Sequence, residues 1–339
     1  SLNFTGAHIL STNQFQRQDV ERIFAVADEM EPYALRKKVT RVLEGAILGN
    51  MFFEASTRTR VSFGSAFNLL GGEVRETAGF ENSALVKGES LQDTARILSG
   101  FSDVICMRHP VAGSVADFAS ASRVPVLNGG DGANEHPTQA LLDLYTIRRE
   151  LAGTGGRSID GLKIAMIGDL RHGRTVHSLG RLLSLYDNIE VVLISPEELT
   201  LPPSIIEHMR SAGAKVSISH ELTNSIRDVD IVYSTRIQEE RFTSKEDADL
   251  YRGKFRLNQA IYTEFCQPNT VIMHPLPRDS RADANELDSD LDDNPNLAIF
   301  RQADNGVVVR MALFALVLDV ADKIHEFSYD VRWYNSRQV

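Results

Sequence analysis

The sequence predicts an α/β protein built from two doubly wound parallel sheets, each in a domain of its own. Short apolar runs of strand length alternate with segments whose apolar residues recur at helical spacing, and this alternation occurs twice in 339 residues. A glycine-rich segment, residues 151–158, separates the two series and has the composition of a linker. We therefore expect domains at residues 1–150 and 151–306, with a C-terminal helix, residues 307–339, that returns to complete the first domain.

Charge limits the classes of partner that the chain can have. It carries 36 Lys and Arg residues against 46 Asp and Glu residues, a formal net charge of −10. Nucleic acids and anionic membranes carry the same sign of charge, so neither is an expected partner. No apolar run approaches the length of a membrane span, and the first residues lack a basic segment followed by an apolar one. We expect a cytoplasmic protein.

The two cysteines, Cys106 and Cys266, lie far apart in the sequence, each within an apolar run. This spacing fits neither a disulfide framework nor a cluster of metal ligands. We predict two buried free thiols and no metal site.

The first series is organised around a polar turn, residues 56–60. Residues 46–53 form an apolar run of strand length before it, and apolar side chains recur at helical spacing from Val61 to Leu70 after it. A helix N-terminus offers unpaired N–H groups and a positive dipole end, and arginine presents a planar fork that matches phosphate oxygens. We interpret the turn as a phosphate site. The local alternative is a surface helix capped by Ser56, with its arginines in solvent.

Two later strands of this series also end in polar side chains. An apolar strand at residues 104–107 ends at Arg108, and another at 124–128 leads into a loop and a helix start with His136 and Gln139. Ligands of open α/β sheets bind outside the carboxyl ends of strands, so these are candidate binding residues. A lone histidine is more often structural, and that alternative stays open here.

A polar loop, residues 78–89, precedes these strands and contains Ser83 and Lys87. No residue near Lys87 in the sequence is an obvious partner for it. The local sequence alone therefore favours a solvated lysine on a loop.

The second series repeats the alternation. Its strands are predicted at residues 162–169, 190–195, 215–219, 230–234 and 271–273. The turn after its first strand lacks the G-x-G-x-x-G pattern, which argues against a nucleotide-binding dehydrogenase. Arg174, Arg236, Gln238 and Arg278 lie at strand ends or in the turns that follow, so we expect a second anion-binding edge.

The sequence contains no recognisable nucleophilic triad, metal cluster or pair of acid and base carboxylates. This fits direct transfer between two bound substrates in a cleft between the two sheets, without a cofactor. Catalysis would then come from positioning and from stabilisation of developing negative charge.

Several motifs together resemble those of the aspartate/ornithine carbamoyltransferase family. Residues 56–60 are similar to its S-T-R-T-R carbamoyl-phosphate signature, and further motifs follow in order: Arg108-His109-Pro110, His136-Pro137-Thr138-Gln139 and His274-Pro275-Leu276-Pro277-Arg278. The resemblance covers residues 8–322. The T-R-x-Q pattern at 235–238 and H-P-L-P at 274–277 are similar to the aspartate branch, and the S-M-G pattern of the ornithine branch is missing.

The resemblance implies transfer of the carbamoyl group of carbamoyl phosphate to the amine of L-aspartate, as in pyrimidine biosynthesis. It assigns the first domain to carbamoyl phosphate and the second to aspartate. The implied carbamoyl-phosphate contacts are Ser56, Thr57, Arg58, Thr59, Ser83, Lys87, Arg108, His136 and Gln139. The implied aspartate contacts are Lys87, Arg174, Arg236, Gln238, Pro275 and Leu276. The implied catalytic residues are Arg58, Thr59, Lys87, Arg108 and His136.

The resemblance also implies an assembly. Ser83 and Lys87 correspond to a mobile loop that reaches the neighbouring protomer's site, which requires a homotrimer with shared active sites. Regulatory chains, where present, would be separate polypeptides. Two alternatives remain at this stage: a carbamoyltransferase for another amine such as ornithine, and a non-catalytic anion-binding homologue.

Overall fold

The computed structural model describes residues 2–79, 87–237, 242–282 and 284–337. The chain divides into two compact units. Unit 1 comprises Ser1–Leu141 and Asp304–Val339, and unit 2 comprises Leu142–Ala303.

The strands within the described residues are, in chain order, β1 (Lys38–Thr40), β2 (Ile47–Phe52), β3 (Glu73–Ala78), β4 (Val104–His109), β5 (Val126–Asp131), β6 (Lys163–Ile167), β7 (Glu190–Ile194), β8 (Lys215–Ser219), β9 (Ile231–Ser234), β10 (Val271–Met273) and β11 (Ser328–Asp330). The α-helices are α1 (Arg17–Glu29), α2 (Glu31–Ala34), α3 (Thr57–Leu69), α4 (Leu91–Ser99), α5 (Ser114–Ser120), α6 (Pro137–Ala152), α7 (Arg174–Leu183), α8 (Pro203–Ser211), α9 (Lys245–Phe255), α10 (Gln259–Phe265) and α11 (Ile299–Val317). None of these helices is long and apolar enough to cross a membrane.

Unit 1 contains a parallel four-stranded sheet in the order β3-β2-β4-β5. The chain passes from β2 to β3 on one side and later fills β4 and β5 on the other, so the direction of winding reverses between β2 and β4. Core residues cover both faces. Ile105 and Met107 pack with Phe118 of α5, whereas the Phe52 ring approaches Phe63 of α3, with 6.5 Å between ring centroids. The predicted doubly wound sheet is confirmed for this unit.

Unit 2 contains a parallel five-stranded sheet in the order β10-β9-β6-β7-β8. Here the winding reverses between β6 and β9. The strands predicted at 190–195, 215–219 and 271–273 are confirmed as β7, β8 and β10. The predicted fold class, two parallel-sheet α/β units, is therefore correct.

The loops after β6 and β9 approach each other closely at Gly168. The backbone N–H and the Oγ1 hydroxyl of Thr235 both donate to the Ile167 carbonyl oxygen, at 2.8 and 2.7 Å. Gly168 has a φ of 120°, and a Cβ at this position would lie 2.3 Å from Thr235 Oγ1. Glycine is therefore required here by both backbone conformation and space.

The C-terminal segment differs from the single helix predicted for residues 307–339. The helix α11 begins earlier, at Ile299. Its first turns contain Gln302 and Asn305, which are buried although they are polar, so the apolar pattern of the sequence did not reveal them. It ends at Val317, where Asp319 adopts a φ of 56° and the Val320 N–H donates back to the Ala315 carbonyl oxygen at 2.8 Å.

The residues after α11 form a short ribbon in unit 1. Strand β11 pairs antiparallel with β1, and the Arg41 guanidinium carbon lies 5.5 Å from the ring centroid of Tyr329. Trp333 lines the same surface cavity as Arg41 and Tyr329 and is 56% exposed. Leu43 lies between β1 and β2, and its N–H donates to the carbonyl oxygen of Leu70, which precedes β3, at 2.8 Å. Because β1 leads into β2 through this segment, the ribbon lies near the amino ends of β2 and β3.

The two cysteines are both free. Cys106 is buried in β4, as predicted, whereas Cys266 is only partly buried because it follows the last turn of α10. Burial raises the pKa of the Cys266 thiol to about 12. Both side chains are therefore structural thiols.

The fit around Gly168 predicts a large effect of Gly168→Ala on stability. In Gly168→Ala the alanine must adopt a positive φ, and its Cβ meets Thr235. In Gly213→Ala the alanine must also adopt a positive φ, of 100°, but its Cβ meets no atom within 4 Å. Backbone strain alone costs about 1–3 kcal/mol. We expect Gly168→Ala to lower the midpoint of urea unfolding clearly more than Gly213→Ala, and equal midpoints would show that Thr235 moves aside without cost.

Candidate active site

The predicted phosphate turn begins at the carboxyl end of β2 and the N-terminus of α3. Ser56 occupies the N-cap position with extended backbone, but its side chain makes no capping hydrogen bond. Of the alternative, a capped surface helix with its arginines in solvent, the capping bond is absent, whereas Arg58 is exposed and Arg60 is half-buried. Thr57 is exposed, and Thr59 is buried in the first turn. The hydroxyl of Ser56 and the first N–H groups of α3 lie at the same helix end, which suits an anion.

The two arginines of this turn have different surroundings. Arg60 forms an ion pair with Glu76 of β3, so its charge is compensated within unit 1. Arg58 has no ion-pair partner among the residues that the structure describes. Partial burial and then the positive charge of Arg108 lower the pKa of Arg58. Of the two arginines in the turn, it is therefore Arg58 whose charge, together with that of Arg108, stays available to an anion, and Arg60 is not among the contacts that the resemblance implies.

Arg108 lies beside the turn because β2 and β4 are neighbours. Phe52 is in register with Arg108, and the Phe53 N–H donates to the Arg108 carbonyl oxygen at 2.9 Å. The side chain is 11% exposed. Its Nε donates to Glu54 Oε1 at 3.1 Å and its Nη1 to the Gly129 carbonyl oxygen at 3.2 Å. These two acceptors fix the guanidinium at the reversal point of the sheet, where ligands of such folds bind.

Glu54 is a site residue that the sequence analysis missed. It directly follows the strand and precedes the polar turn, so an acidic residue between an apolar strand and a cationic turn was the available signal. Its role is to orient Arg108 through the contact described above.

His136 and Gln139 lie at the start of α6. His136 is buried and Gln139 is half-buried, and the Gln139 N–H donates to the His136 carbonyl oxygen at 3.1 Å. The preceding loop is held by Asp131, whose Oδ1 accepts the Glu135 N–H at 3.0 Å. Glu135 in turn accepts the Thr12 N–H at 3.0 Å. A buried carboxylate chain therefore fixes the loop that presents His136.

Arg310 of α11 is a second residue that the sequence did not identify as part of the site. Its Nη1 donates to Ser62 Oγ at 2.8 Å, and its Nη2 donates to Thr138 Oγ1 at 3.2 Å. Its guanidinium also lies over the Phe63 ring, 4.7 Å from the centroid. It therefore ties the first turns of α3 and α6 to each other.

His109, next to Arg108, stabilises a turn. Its Nδ1 accepts the Val111 N–H at 3.1 Å, and burial lowers its pKa, which keeps the ring neutral. Lys87 is exposed at the end of the polar loop. Ser83 lies outside the described residues.

In unit 2, two of the predicted residues, Arg174 and Arg236, lie at the corresponding edge of the sheet. Arg174 is the first residue of α7, which follows β6, and Arg236 is exposed two residues after β9. These two elements flank the point where the winding of unit 2 reverses. Gln238 lies outside the described residues. The Asp279 pKa is lowered to about 2, chiefly by its hydrogen bond from Arg281 and to a smaller extent by the charge of Arg236.

The turn at residues 274–277 is held by a histidine and a glutamate. The His274 Nδ1 accepts the Leu276 N–H at 2.8 Å, so its Nε2 carries the proton and donates to Glu286 Oε1 at 2.6 Å. Leu276 has a φ of 61°, and the bond between Leu276 and Pro277 is cis. Arg278, which the sequence analysis grouped with the anion-binding residues, donates to Asp292 at 2.8 Å instead.

Each unit thus presents a cationic edge suited to a different anion. In unit 1, Arg58, Arg108 and a helix N-terminus offer the donors that a phosphate and a polarised carbonyl oxygen require. In unit 2, Arg174 and Arg236 offer two guanidinium forks, which suits a ligand with two carboxylates.

Solved structures show the same fold in known enzymes. The catalytic subunit of the Methanocaldococcus jannaschii aspartate transcarbamoylase superimposes with a TM-score of 0.85 at 42% identity, over 92% of this chain and 98% of that one. The Trypanosoma cruzi aspartate transcarbamoylase bound to N-(phosphonacetyl)-L-aspartic acid gives a TM-score of 0.84 at 38% identity, over 93% of this chain and 97% of that one.

Sequence comparison extends this relationship across nearly the whole chain. The aspartate carbamoyltransferase catalytic subunit of Saccharophagus degradans is 75% identical over 336 residues, 99% of both chains, and that of Cellvibrio japonicus is 74% identical over 335 residues, again 99% of both. Residues 7–149 match the carbamoyl-P binding domain of the aspartate/ornithine carbamoyltransferases, and residues 160–317 match their Asp/Orn binding domain. The chain belongs to the aspartate/ornithine carbamoyltransferase family.

Proposed function

We propose that this chain transfers the carbamoyl group of carbamoyl phosphate to the amine of L-aspartate, giving N-carbamoyl-L-aspartate and phosphate. The observation that carries this function is the 75% identity, over 99% of both chains, to a relative named as an aspartate carbamoyltransferase catalytic subunit. The product is an intermediate of pyrimidine biosynthesis. The cytoplasmic location expected from the sequence stays a prediction.

Unit 1 is assigned to carbamoyl phosphate. The phosphate binds Ser56, Thr57, Arg58 and Thr59 at the N-terminus of α3, with Ser83 and Lys87 added from the polar loop. Arg108, His136 and Thr59 polarise the carbamoyl oxygen, and Gln139 contacts the carbamoyl amino group. The contacts of Arg108 with Glu54 and Gly129 support its part, because they hold its guanidinium in place before the substrate arrives.

Unit 2 is assigned to aspartate. Arg174 and Arg236, with Gln238, bind the two carboxylates, and the backbone of Pro275 and Leu276 lines the reacting centre. The side-chain ammonium group of ornithine would be repelled by Arg236, whereas a carboxylate at that place is attracted. The positive φ of Leu276 and the hydrogen bonds of His274 support a fixed turn there.

The chemical step follows from these assignments. The deprotonated amine of aspartate attacks the carbamoyl carbon, the C–N bond forms, and the carbonyl electrons move to the oxygen beside Arg108 and His136. The tetrahedral intermediate then collapses, the bond to the phosphate oxygen breaks, and phosphate leaves with that electron pair. A phosphate oxygen can accept the proton that the amine loses. Positioning and oxyanion stabilisation thus supply the catalysis.

The proposed assembly is a homotrimer in which Ser83 and Lys87 of one protomer complete the site of the next. The exposure of Lys87 supports this arrangement, since a solvated lysine is available to a neighbouring chain. Separate regulatory chains are compatible with the names of the relatives, which are called catalytic subunits.

The first prediction concerns substrate choice. The purified chain, given carbamoyl phosphate with L-aspartate or L-ornithine, should carbamoylate aspartate only. Arg236→Ala should raise the KM for aspartate by about 10–100-fold, as expected when a charged hydrogen-bonding partner is lost. Arg227→Ala is the matched control, because Arg227 precedes the amino end of β9, whereas Arg236 follows its carboxyl end. The Arg227 guanidinium carbon lies 4.9 Å from the ring centroid of Phe265. Turnover of ornithine, or equal effects of the two variants, would contradict the assignment.

The second prediction concerns Arg108. Arg108→Ala should lower kcat by about 10²–10³-fold, as removal of one oxyanion donor does elsewhere. Arg60→Ala removes a neighbouring guanidinium that is already paired with Glu76, so its loss in kcat should stay below about tenfold. Steady-state kinetics under saturating substrates separate the two. A loss below tenfold for Arg108→Ala would remove it from the catalytic residues.

The third prediction tests the shared site. Chains with Lys87→Ala and chains with Arg58→Ala should each be nearly inactive alone. After mixing and verified subunit exchange, some sites in hybrid trimers would combine an intact Arg58 with an intact Lys87, and part of the activity should return. Absence of recovery in trimers that have exchanged would place both residues in the same protomer's site.

A further inference from the structure

A buried hydrogen-bond network in unit 2 joins the segments that carry its predicted ligand-binding residues. Its centre is Asp143 of α6, whose exposed fraction is 0%. The Tyr233 hydroxyl donates to Asp143 Oδ2 at 2.6 Å, and the Gln302 amide nitrogen donates to Asp143 Oδ1 at 2.7 Å. A buried carboxylate needs such partners, because removing a charge from water is costly.

On one side the network reaches the turn at residues 274–277. Gln302 Oε1 accepts the backbone N–H of His274 at 3.0 Å, and His274 holds the Leu276 N–H and the Glu286 carboxylate as described above. The backbone of Leu276 is therefore connected to Asp143 through two side chains.

On the other side the network reaches the two arginine-bearing segments. Tyr233 lies in β9, three residues before Arg236, and the side chain of Thr175 lies close enough to its hydroxyl to influence the pKa of that hydroxyl. Thr175 directly follows Arg174 in the first turn of α7. Burial, and then the charge of Asp143, raise the pKa of Tyr233 well above its usual value, so the phenol keeps its proton and donates.

The direction of each hydrogen bond is fixed. Tyr233 donates to position 143 from one side and the Gln302 amide donates from the other, because the Gln302 carbonyl oxygen is already used by the His274 N–H. Position 143 must therefore accept at both of its terminal atoms. Aspartate does so, whereas asparagine presents one acceptor and one donor group.

We propose that Asp143 is a positioning residue for the aspartate side of the site, which sets the relative placement of Arg174, Arg236 and the backbone of Leu276. This inference rests on the proposed function, since those segments are assigned to aspartate there. Asp143 acts through Tyr233, Thr175 and Gln302 and has no direct contact with the substrate in this role.

The test begins with Asp143→Asn in the full chain. The substitution turns one acceptor atom at position 143 into an NH₂ group that faces a second donor, so the network must rearrange and the arginines lose their placement. We expect the KM for aspartate to rise about tenfold or more, with the KM for carbamoyl phosphate changed less than about threefold, as for displacement of one substrate's contacts. A rise that is equal for both substrates would overturn the proposal.

Asp230→Asn is the matched control. Asp230 lies just before the amino end of β9 in the same unit, and its carboxylate binds the Arg157 guanidinium and the Lys163 N–H, at 3.0 Å and 2.9 Å. The substitution tests loss of a structural carboxylate away from the predicted site. It should lower the midpoint of urea unfolding and leave the KM for aspartate unchanged. A KM shift as large as that of Asp143→Asn would mean that general destabilisation explains both.

A second variant, Tyr233→Phe, gives a result that a purely structural role would not produce. Combined with Asp143→Asn it removes one of the two facing donors, so the remaining carbonyl oxygen at position 143 can turn to Gln302. The KM of the double variant should then be lower than the product of the two single effects predicts. Strictly multiplicative effects would count against the network.

Hydrogen–deuterium exchange supplies a measurement that does not depend on activity. In Asp143→Asn the backbone amides of Met273, His274 and Leu276 should exchange faster than in the parent chain, whereas Asp230→Asn should leave them protected. If the parent chain fails to carbamoylate aspartate, the proposed function is wrong, yet faster exchange would still establish the network. Unchanged exchange would overturn the positioning role itself.

Discussion

The ion pair between Arg108 and Glu54 determines how the site of unit 1 is built. It fixes the Arg108 guanidinium where the winding of the sheet reverses, close enough to the exposed Arg58 for the two positive charges to interact. Arg108 is fixed by one carboxylate and one carbonyl oxygen, while Arg60 is drawn away to Glu76. Partial burial is the first cause of the lowered pKa of Arg58, and the charge of Arg108 is the second. An anion bound near both groups would reduce their repulsion, so the placement of Arg108 prepares the turn for such a ligand.

Both units place arginines at the carboxyl edge of a parallel sheet, but they orient these segments through different kinds of contact. Unit 1 orients its site through short local contacts, such as Glu54 with Arg108 and Arg310 with the first turns of α3 and α6. Unit 2 orients its turns through a buried network that ends in two carboxylates, Asp143 and Glu286. The carboxylates fix the direction of every hydrogen bond between them, so the network has one arrangement of protons. A small displacement of one residue in unit 1 affects mainly its direct partner. In unit 2 a displacement of Asp143 affects Tyr233 and Gln302 together, because both donate to the same carboxylate.

The sequence predicted the fold class well because buried parallel strands are nearly continuous apolar runs. It failed where polarity and burial diverge. Half of the residues of β3 are charged, so this strand lacks the apolar run that marks its neighbours, and the start of α11 was hidden by buried polar residues such as Gln302. The motif residues were found from local pattern and resemblance. The residues that orient them, Glu54 and Arg310 among them, depend on contacts between distant segments, which a single sequence does not record.

The ribbon at the amino end of β2 and β3 has a consequence for spectroscopy. Trp333 is the single tryptophan of the chain, it is half exposed, and it follows this ribbon and lines the same surface cavity as Tyr329. The polar turn, residues 56–60, lies at the opposite end of the sheet, roughly 17 Å away along β2. Indole fluorescence will therefore follow the docking of the C-terminal ribbon and will be insensitive to ligands at the turn. Loss of that signal during unfolding marks the release of the ribbon, and ligand titrations need an introduced chromophore.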